Sequence, residues 1–160
     1  MKSILIRRAT RRDAAIFLKL VDELADYEKL KRPTRAARAR LLRDGFGRNR
    51  RFDPFLAFVK GAAVGYAIVF ETYSSLRAQP TLYLEDLFIL ESHRKQGVGF
   101  ALFRKCVDEA HRRGCGRMEW VVLDWNKIAI DFYNRIGAHH LNNWLTYRLD
   151  REQFGDILNM

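Results

Sequence analysis

Two neighbouring stretches decide how this chain is expected to fold: YLEDLFIL at residues 83–90 and RKQGVG at residues 94–99. The first is apolar except for a central pair of acids, which predicts a long strand from Thr81 to Leu90. The second joins this strand to a helix predicted from Gly99 to Arg113, which Gly114 closes. The chain is therefore expected to pass from strand to helix through a turn that carries two glycines and two cations.

The turn at residues 94–99 has the composition of an anion-binding site. Glycines let backbone N–H groups approach an anion, and the N-terminus of a helix carries about half a positive charge. Arg94 and Lys95 add full positive charges. These features suit a diphosphate, although two glycines at such a turn often only make the turn. The segment lacks the third glycine of GxGxxG and the GK[ST] of a P-loop, so neither a dinucleotide fold nor an NTPase is favoured.

The remaining sequence predicts further strands and helices around this unit. The predicted strands are Ile4–Ile6, Phe55–Val59, Ala63–Thr72, Met118–Leu123 and Trp144–Leu149, and the predicted helices are Arg11–Tyr27, Arg35 to about Arg43, and Ile128–Ile136. Early strands form hairpins and a strand, a helix and a strand follow later. This order predicts an α/β (α+β) fold with a mixed, mostly antiparallel sheet and helices on both faces. With 160 residues, of which 48% are hydrophobic, we expect a single domain over residues 1–160.

Composition excludes several classes of protein. No apolar run reaches the roughly 18 residues of a membrane span, and MKSILIRRAT lacks the apolar stretch and cleavage site of a secretory signal. Cys106 and Cys115 could form at most one disulfide, and no CxxC or HExxH spacing is present. We therefore expect a cytoplasmic protein with reduced thiols, no membrane contact and no metal.

Positive charge is concentrated in one segment. The chain has 29 Lys and Arg against 19 Asp and Glu, a net charge of +10. Residues 29–51 hold ten bases and one acid, Asp44, so this segment alone carries 10 − 1 = +9. Such a segment indicates either a site for an anionic partner or a solvated helix face without a ligand.

Motifs and their order together resemble the GNAT family of N-acetyltransferases: LFIL, then RKQGVG opening a helix, then a strand, then WN and a helix carrying FY. The likeness is to the spermidine/spermine N-acetyltransferase-like (diamine or thialysine) subfamily. It rests on IRRATRRDA at residues 6–14, ELADYE at 23–28, DGFG at 44–47, YLEDLFIL at 83–90 and DWNKIAIDFYNRIGA at 124–138. The resemblance implies acetyl-CoA as cosubstrate, a homodimer, and a six- to seven-stranded sheet splayed around the pantetheine arm.

Acetyl transfer to an amine needs a base for the ammonium, an N–H for the developing oxyanion and an acid for the leaving thiolate. Glu85 and Asp86 are adjacent on a strand, so their side chains are expected to point to opposite faces, and at least one should face the covered side. The resemblance implies that Glu85 is the base, acting through water, and that Tyr133 is the general acid. Asp86 is interpreted as structural or supporting. A rim ion pair for Glu85 and a core position for Tyr133 remain the alternatives.

The resemblance also implies which residues bind the two substrates. The acetyl-CoA residues are Leu87, Phe88, Ile89, Arg94, Lys95, Gln96, Gly97, Val98, Gly99, Phe100 and Asn126, and the acceptor residues are Tyr27, Glu28, Glu85 and Trp120. Backbone groups of Leu87–Ile89 would pair with the pantetheine arm like an added strand, and one N–H there could serve the oxyanion. Asn126 could equally cap the helix that follows it.

Acids for a polycation are scarce in this sequence. Polyamine-acetylating relatives hold their substrate with acids after the first helix and near the last strand, whereas here Glu28 is followed by KLKR and HHLNNW at residues 139–144 contains no acid. We therefore expect a small primary amine that bears a carboxylate, such as a lysine-like amino acid. The alternatives are a basic RNA- or protein-binding module on the same scaffold, or a polyamine or protein-lysine acetyltransferase. The absence of an RRM, KH or zinc pattern disfavours nucleic acid.

Overall fold

The computed structural model describes residues 3–160, which divide into two compact units. The first unit ends at Val121, and the second runs from Val122 to Met160. The elements in chain order are β1 (Ile4–Arg8), α1 (Ala14–Tyr27), α2 (Arg35–Phe46), β2 (Asp53–Val59), β3 (Ala62–Ser74), β4 (Gln79–Ile89), α3 (Val98–Arg112), β5 (Arg117–Glu119), α4 (Lys127–Arg135) and α5 (Phe154–Leu158). Short 3-10 turns precede α1, α3 and α5, at Arg11–Asp13, Glu91–His93 and Arg151–Gln153.

The first unit is built on one mixed sheet with the strand order β1-β2-β3-β4-β5. The first four strands pair antiparallel with their neighbours, and β5 pairs parallel to β4. The predicted mixed, mostly antiparallel sheet is therefore confirmed, but the predicted count of six to seven strands is wrong. The described residues form a sheet of five strands.

Two predicted strands, at residues 118–123 and 144–149, do not form as predicted. The strand predicted at residues 118–123 pairs only over Arg117–Glu119, and the strand predicted at 144–149 does not form among residues 3–160. Near the latter, the backbone N–H of Trp144 donates to the carbonyl of Leu141, which makes a local turn. β-Branched and aromatic residues predicted these strands. Their preference for β-structure leads to a strand only when a neighbouring strand provides hydrogen-bond partners for the backbone.

The helix predicted from Arg11 to Tyr27 is divided after Asp13 into a 3-10 turn and an α-helix. The segment from Arg11 begins as a 3-10 turn and becomes α-helical at Ala14. Asp13 accepts hydrogen bonds from the Arg7 guanidinium and from the backbone N–H of Thr10. These bonds, led by the one from Arg7, hold the pKa of Asp13 well below its usual range. The carboxylate therefore fixes the start of α1 against β1.

Alternation along the strands separates two packed faces. Leu56 and Tyr66 lie in one cluster with Phe17 of α1, and none of the three is exposed. The neighbouring Phe55 points the other way, where the Lys105 Nζ of α3 lies 5.8 Å from its ring centroid. Helices α1 and α3 thus cover opposite faces of the sheet, as the sequence predicts.

The second unit exposes apolar side chains along its length. None of residues 122–160 is buried, and Trp144, Tyr147 and Leu158 are 74%, 89% and 85% exposed. The unit therefore has no core of its own. Across the described part of the chain, no helix combines the length and the apolar character needed to cross a membrane.

Candidate active site

A β-bulge in β4 lies at the pair of acids. The register with β3 passes from Ile68 opposite Asp86 to Val69 opposite Leu84, so Glu85 is the extra residue of the bulged strand. Such a bulge bends its strand and increases the local twist. Glu85 is exposed, whereas Asp86 is only partly so. The two carboxylates consequently occupy different environments although they are adjacent in sequence.

Beyond this bulge, the described strands pair with β4 on one side only. Pairing with β5 covers Thr81–Tyr83, and no described strand continues it along residues 84–89. On the other side, Leu87, Phe88 and Ile89 remain in register with β3. An extended ligand with amide groups can add to such an edge in the way a further strand would.

The turn after β4 presents free backbone amides at a helix start. Lys95 and Gly97 have positive φ angles of 57° and 81°, and Gly97 is the N-cap of α3 without any side-chain hydrogen bond at the cap. The first bond of the helix runs from the Ala101 N–H to the Gly97 carbonyl at 3.0 Å, so the N–H groups of residues 98–100 precede it. A Cβ built on Gly97 would meet no heavy atom within 4 Å. The turn therefore fits an anionic group such as a diphosphate.

Arg94 connects this turn to the end of α1. Its Nε donates to the Ile89 carbonyl at 3.0 Å, and its guanidinium carbon lies 4.5 Å from the ring centroid of Tyr27 and 5.7 Å from that of Phe88. Gln96 donates through Nε2 to the Ser92 carbonyl at 3.0 Å. Elsewhere in the predicted cofactor set, the Val98 side chain is buried and the Phe100 side chain is 54% exposed. Val98 can therefore serve a ligand only through its backbone.

The charges of two neighbouring acids, Glu28 and Glu85, act on the carboxyl group of Asp86. The Tyr66 hydroxyl donates to Asp86 Oδ2 at 3.0 Å. Burial raises the pKa of Asp86 to about 6; the hydrogen bond from Tyr66 opposes this shift, and the charges of Glu85 and Glu28 add to it. Burial also raises the pKa of Glu28, and burial followed by the charge of Asp86 raises that of Tyr66 well above its usual value. A cationic group beside these acids would meet negative charge.

Three predicted acceptor residues, Tyr27, Glu28 and Glu85, lie near Asp86, whereas Trp120 packs against α3. Tyr27 packs beside Phe88 with ring centroids 6.2 Å apart, and Glu28 follows it at the end of α1. Trp120 packs edge-on against Phe103 of α3 at 5.5 Å, on the opposite face of the sheet. The structure thus brings Tyr27, Glu28 and Glu85 to one region with Asp86.

Two predicted residues belong to the second unit. Asn126 Oδ1 accepts a hydrogen bond from the Ala129 N–H at 3.3 Å, so it caps α4 as the sequence predicts. Tyr133 is half-buried on α4, and its ring centroid lies 5.5 Å from that of Phe132 in an edge-on contact. Their predicted roles toward acetyl-CoA stay predictions.

Acids of α1 neutralise part of the basic segment. Arg38 forms an ion pair with Asp22, Arg32 pairs with Asp26, and Arg43 pairs with Asp44 inside the segment. The count of +9 over residues 29–51 omits the two α1 acids, because they precede the segment in sequence. The positive electrostatic potential at this surface is therefore weaker than the net charge of residues 29–51 predicts.

Sequence reasoning missed the pairing of Asp86 with Tyr66 and the contact of Arg94 with Tyr27. Tyr66 lies in the apolar run AVGYAIVF, where nothing marks it as the partner of an acid 20 positions later. A tyrosine among aliphatic strand residues was the available signal, because a buried hydroxyl requires a partner. No group of side chains suited to a metal ion occurs within residues 3–160.

Comparison with known proteins identifies the family. The sequence pattern of the Acetyltransferase (GNAT) family matches residues 17–138. The chain is 33% identical over 168 aligned positions to a thialysine N-epsilon-acetyltransferase from Sus scrofa, with 98% of each protein covered. An L-ornithine N5-acetyltransferase from Arabidopsis thaliana is 39% identical over 98 positions, which cover 60% of this chain and 43% of that protein.

A solved structure shows the same fold. The aminoglycoside acetyltransferase AAC(6')-Iy, in complex with a CoA bisubstrate analogue, superimposes with a TM-score of 0.78 at 20% identity. The match covers 92% of this chain and 99% of that one. The resemblance drawn from the motifs is therefore confirmed, and the chain belongs to the GNAT family and is an acetyl-CoA-dependent N-acetyltransferase.

Proposed function

We propose that this enzyme acetylates the side-chain amine of a small amino acid that keeps a free carboxylate. The observation that carries the proposal is that Glu28 and Glu85 act on Asp86 of β4, the strand that the turn at residues 94–99 follows. A cationic amine and an anionic cosubstrate would thus each meet opposite charge. The relatives named for thialysine and L-ornithine support the choice, because both of those amines are amino acids.

Acetyl-CoA supplies the thioester carbon that the amine attacks. Backbone N–H groups of residues 98–100, with Lys95 and Arg94, would hold its diphosphate at the start of α3. The open edge at Leu87–Ile89 would bond the pantetheine amides, with one N–H there donating to the oxyanion. Gln96, Gly97 and Phe100 complete the lining of the turn, and Asn126 would contact the cofactor arm while it caps α4.

The acceptor must lose a proton before it reacts. With a reference pKa of about 10.4 for a lysine-type amine, only about one molecule in 2,500 is neutral at pH 7. Glu85 is exposed at the bulge and would take this proton through water. Tyr133 would donate a proton to the departing thiolate. Tyr27 and Glu28 would border the acceptor, and the role predicted for Trp120 remains a proposal.

The basic segment would receive the carboxylate of the acceptor. An arginine of residues 29–51 can form a charge-assisted, two-pronged hydrogen bond with a carboxylate. Because Arg32 and Arg38 already pair with acids of α1, the surface suits a small anion better than a nucleic acid. The alternative of a basic RNA- or protein-binding module therefore has less support than the enzyme with an amino-acid acceptor.

We also propose that both units form one GNAT domain and that the protein acts as a cytoplasmic homodimer. The match to the family pattern over residues 17–138 spans the boundary at Val121, which supports the first point. Exposed apolar side chains such as Trp144 and Tyr147 support the second, because a second copy could cover them.

Replacing Gly97 with valine tests the cosubstrate site. A branched side chain should fill the space required by the diphosphate, so we expect the KM for acetyl-CoA to rise about tenfold or more. Gly61→Val is the matched control, since Gly61 has the same φ of 81° and the same open surroundings but lies in the β2–β3 turn. Steady-state kinetics of both variants make the comparison. Equal KM values for Gly97→Val and Gly61→Val would place the diphosphate elsewhere.

Substitution of Glu85 and Tyr133 tests the proposed proton transfers. Glu85→Gln and Tyr133→Phe should each lower kcat by about 10² to 10⁴-fold, as expected for a lost base or acid. Glu152→Gln and Tyr147→Phe remove the same groups at exposed positions of the second unit and should leave kcat unchanged. A pH–rate profile of Glu85→Gln that matches wild type would remove Glu85 from the mechanism.

A panel of acceptors tests the substrate class. Release of CoA thiol should be fastest with thialysine, L-ornithine or lysine, and amidation of their carboxylates should lower kcat/KM about tenfold to a hundredfold. Spermidine and a basic peptide, compared at fixed ionic strength, should be poorer acceptors. If spermidine is preferred, or if amidation changes nothing, the acceptor is not an amino acid and the basic segment is a solvated face.

A further inference from the structure

The two buried acids of the described residues, Asp13 and Glu109, are paired with arginines. Asp13 binds the Arg7 guanidinium at 2.7 Å, and Glu109 binds Arg112 at 2.9 Å and Arg113 at 3.1 Å. These pairs offset the cost of taking a carboxylate out of water. Burial alone therefore does not distinguish a functional acid in this protein.

Asp86 differs because no cation accompanies it. Its hydrogen-bond partner among the described residues is the neutral hydroxyl of Tyr66, and no lysine, arginine or histidine of residues 3–160 forms an ion pair with it. A carboxylate held in a desolvated position without a counterion costs stability. Such a position is expected where a ligand supplies the missing cation.

The two oxygens of Asp86 differ in their hydrogen bonding. Tyr66 donates to Oδ2, and no described group donates to Oδ1. Since no fully buried polar side-chain atom of the described residues lacks a partner, Oδ1 must retain access to solvent. Phe88, two residues along the same face of β4, packs against both Tyr66 and Tyr27. Aromatic rings therefore line the face of β4 that carries Asp86.

We infer that Asp86, oriented by Tyr66, binds the ammonium group of the acceptor and holds it for deprotonation by Glu85. The inference rests on the proposed function, because it assigns the acceptor-binding group of that same site. An ammonium has three donors and no acceptor, so one N–H can bond Oδ1 while another faces the water through which Glu85 acts. Asp86 is then a binding residue, Tyr66 a positioning residue and Glu85 the proton acceptor.

Binding should depend on pH through the charge of Asp86. The ionisable groups that act on it are Tyr66 on β3, Glu85 on β4 and Glu28 directly after α1, while the Arg94 guanidinium lies over Tyr27. With a pKa of about 6, the Asp86 carboxylate is charged above pH 6 and becomes neutral as the pH falls below it. Affinity for an ammonium should therefore fall with the pH through this range. Glu28, whose pKa is also raised, would contribute in the same direction.

Calorimetry on the full-length protein saturated with CoA, which permits binding without turnover, tests the inference. Thialysine and L-ornithine are the probes, titrated at pH 7.5 and pH 5.5. We expect Asp86→Asn to weaken binding about tenfold or more at pH 7.5 and to lose most of the pH dependence. Glu152→Gln, which removes an exposed carboxylate of the second unit, is the matched control and should bind within about threefold of wild type. Tyr66→Phe should move the midpoint of the pH dependence upward, because its hydroxyl stabilises the charged carboxylate.

Two outcomes overturn the inference: an Asp86→Asn protein that binds the probes as tightly as wild type, and one that keeps the same pH dependence. The CoA affinity of the Asp86→Asn protein reports whether its fold is intact. If this variant no longer binds CoA, the direction in which Tyr66→Phe moves the pH midpoint of probe binding decides whether the inference holds. A failure of the proposed function gives a different result from a failure of this inference. If the wild-type protein binds neither probe but binds spermidine, the acceptor class is wrong, and the same comparison of variants with spermidine decides on Asp86.

Discussion

The site depends on a change in the hydrogen bonding of β4 along its length. From Thr81 to Tyr83 the strand pairs on both edges, and beyond the bulge at Glu85 it pairs only with β3 among the described strands. The unpaired edge would be costly if it met neither water nor a ligand. In a GNAT acetyltransferase it is the place where an amide-containing cosubstrate can complete the sheet. The same bulge separates an exposed Glu85 from a partly buried Asp86, so under the proposed function one irregularity would serve both substrates.

Charges of opposite sign are arranged along this short stretch of chain. Backbone amides and cations lie at the start of α3, where an anionic cosubstrate would fit. The Asp86 carboxyl group, on which the charges of Glu28 and Glu85 act, lies on β4, where an ammonium would fit. Arg94 stands between the two regions, bonded to the Ile89 carbonyl and stacked on Tyr27. This contact ties the end of α1 to the turn. It would hold the acceptor side and the cosubstrate side at a fixed spacing.

Local features of the sequence predicted the parts of the fold that depend on local chemistry. The glycines and cations of residues 94–99 identified the turn, and Asn126 identified a helix cap, because both effects act within a few residues. Contacts between distant residues were not predictable in this way. Tyr66 and Asp86 meet only through the register of two strands, and Arg38 meets Asp22 only because α2 returns toward α1. Strand propensity at residues 144–149 misled for the same reason, since a strand needs a partner that propensity does not supply.

Amide hydrogen exchange of the protein with and without saturating CoA tests the central claim most directly. If the unpaired edge of β4 receives the cosubstrate, exchange should slow at one or more amides of Leu87–Ile89 and at residues 98–100. The outer edge of β1, Ile4–Arg8, is the internal control, because it is also unpaired in the described sheet and should exchange at the same rate in both samples. Protection at the start of α3 without any change in β4 would contradict the account, since the cosubstrate would then bind without completing the sheet.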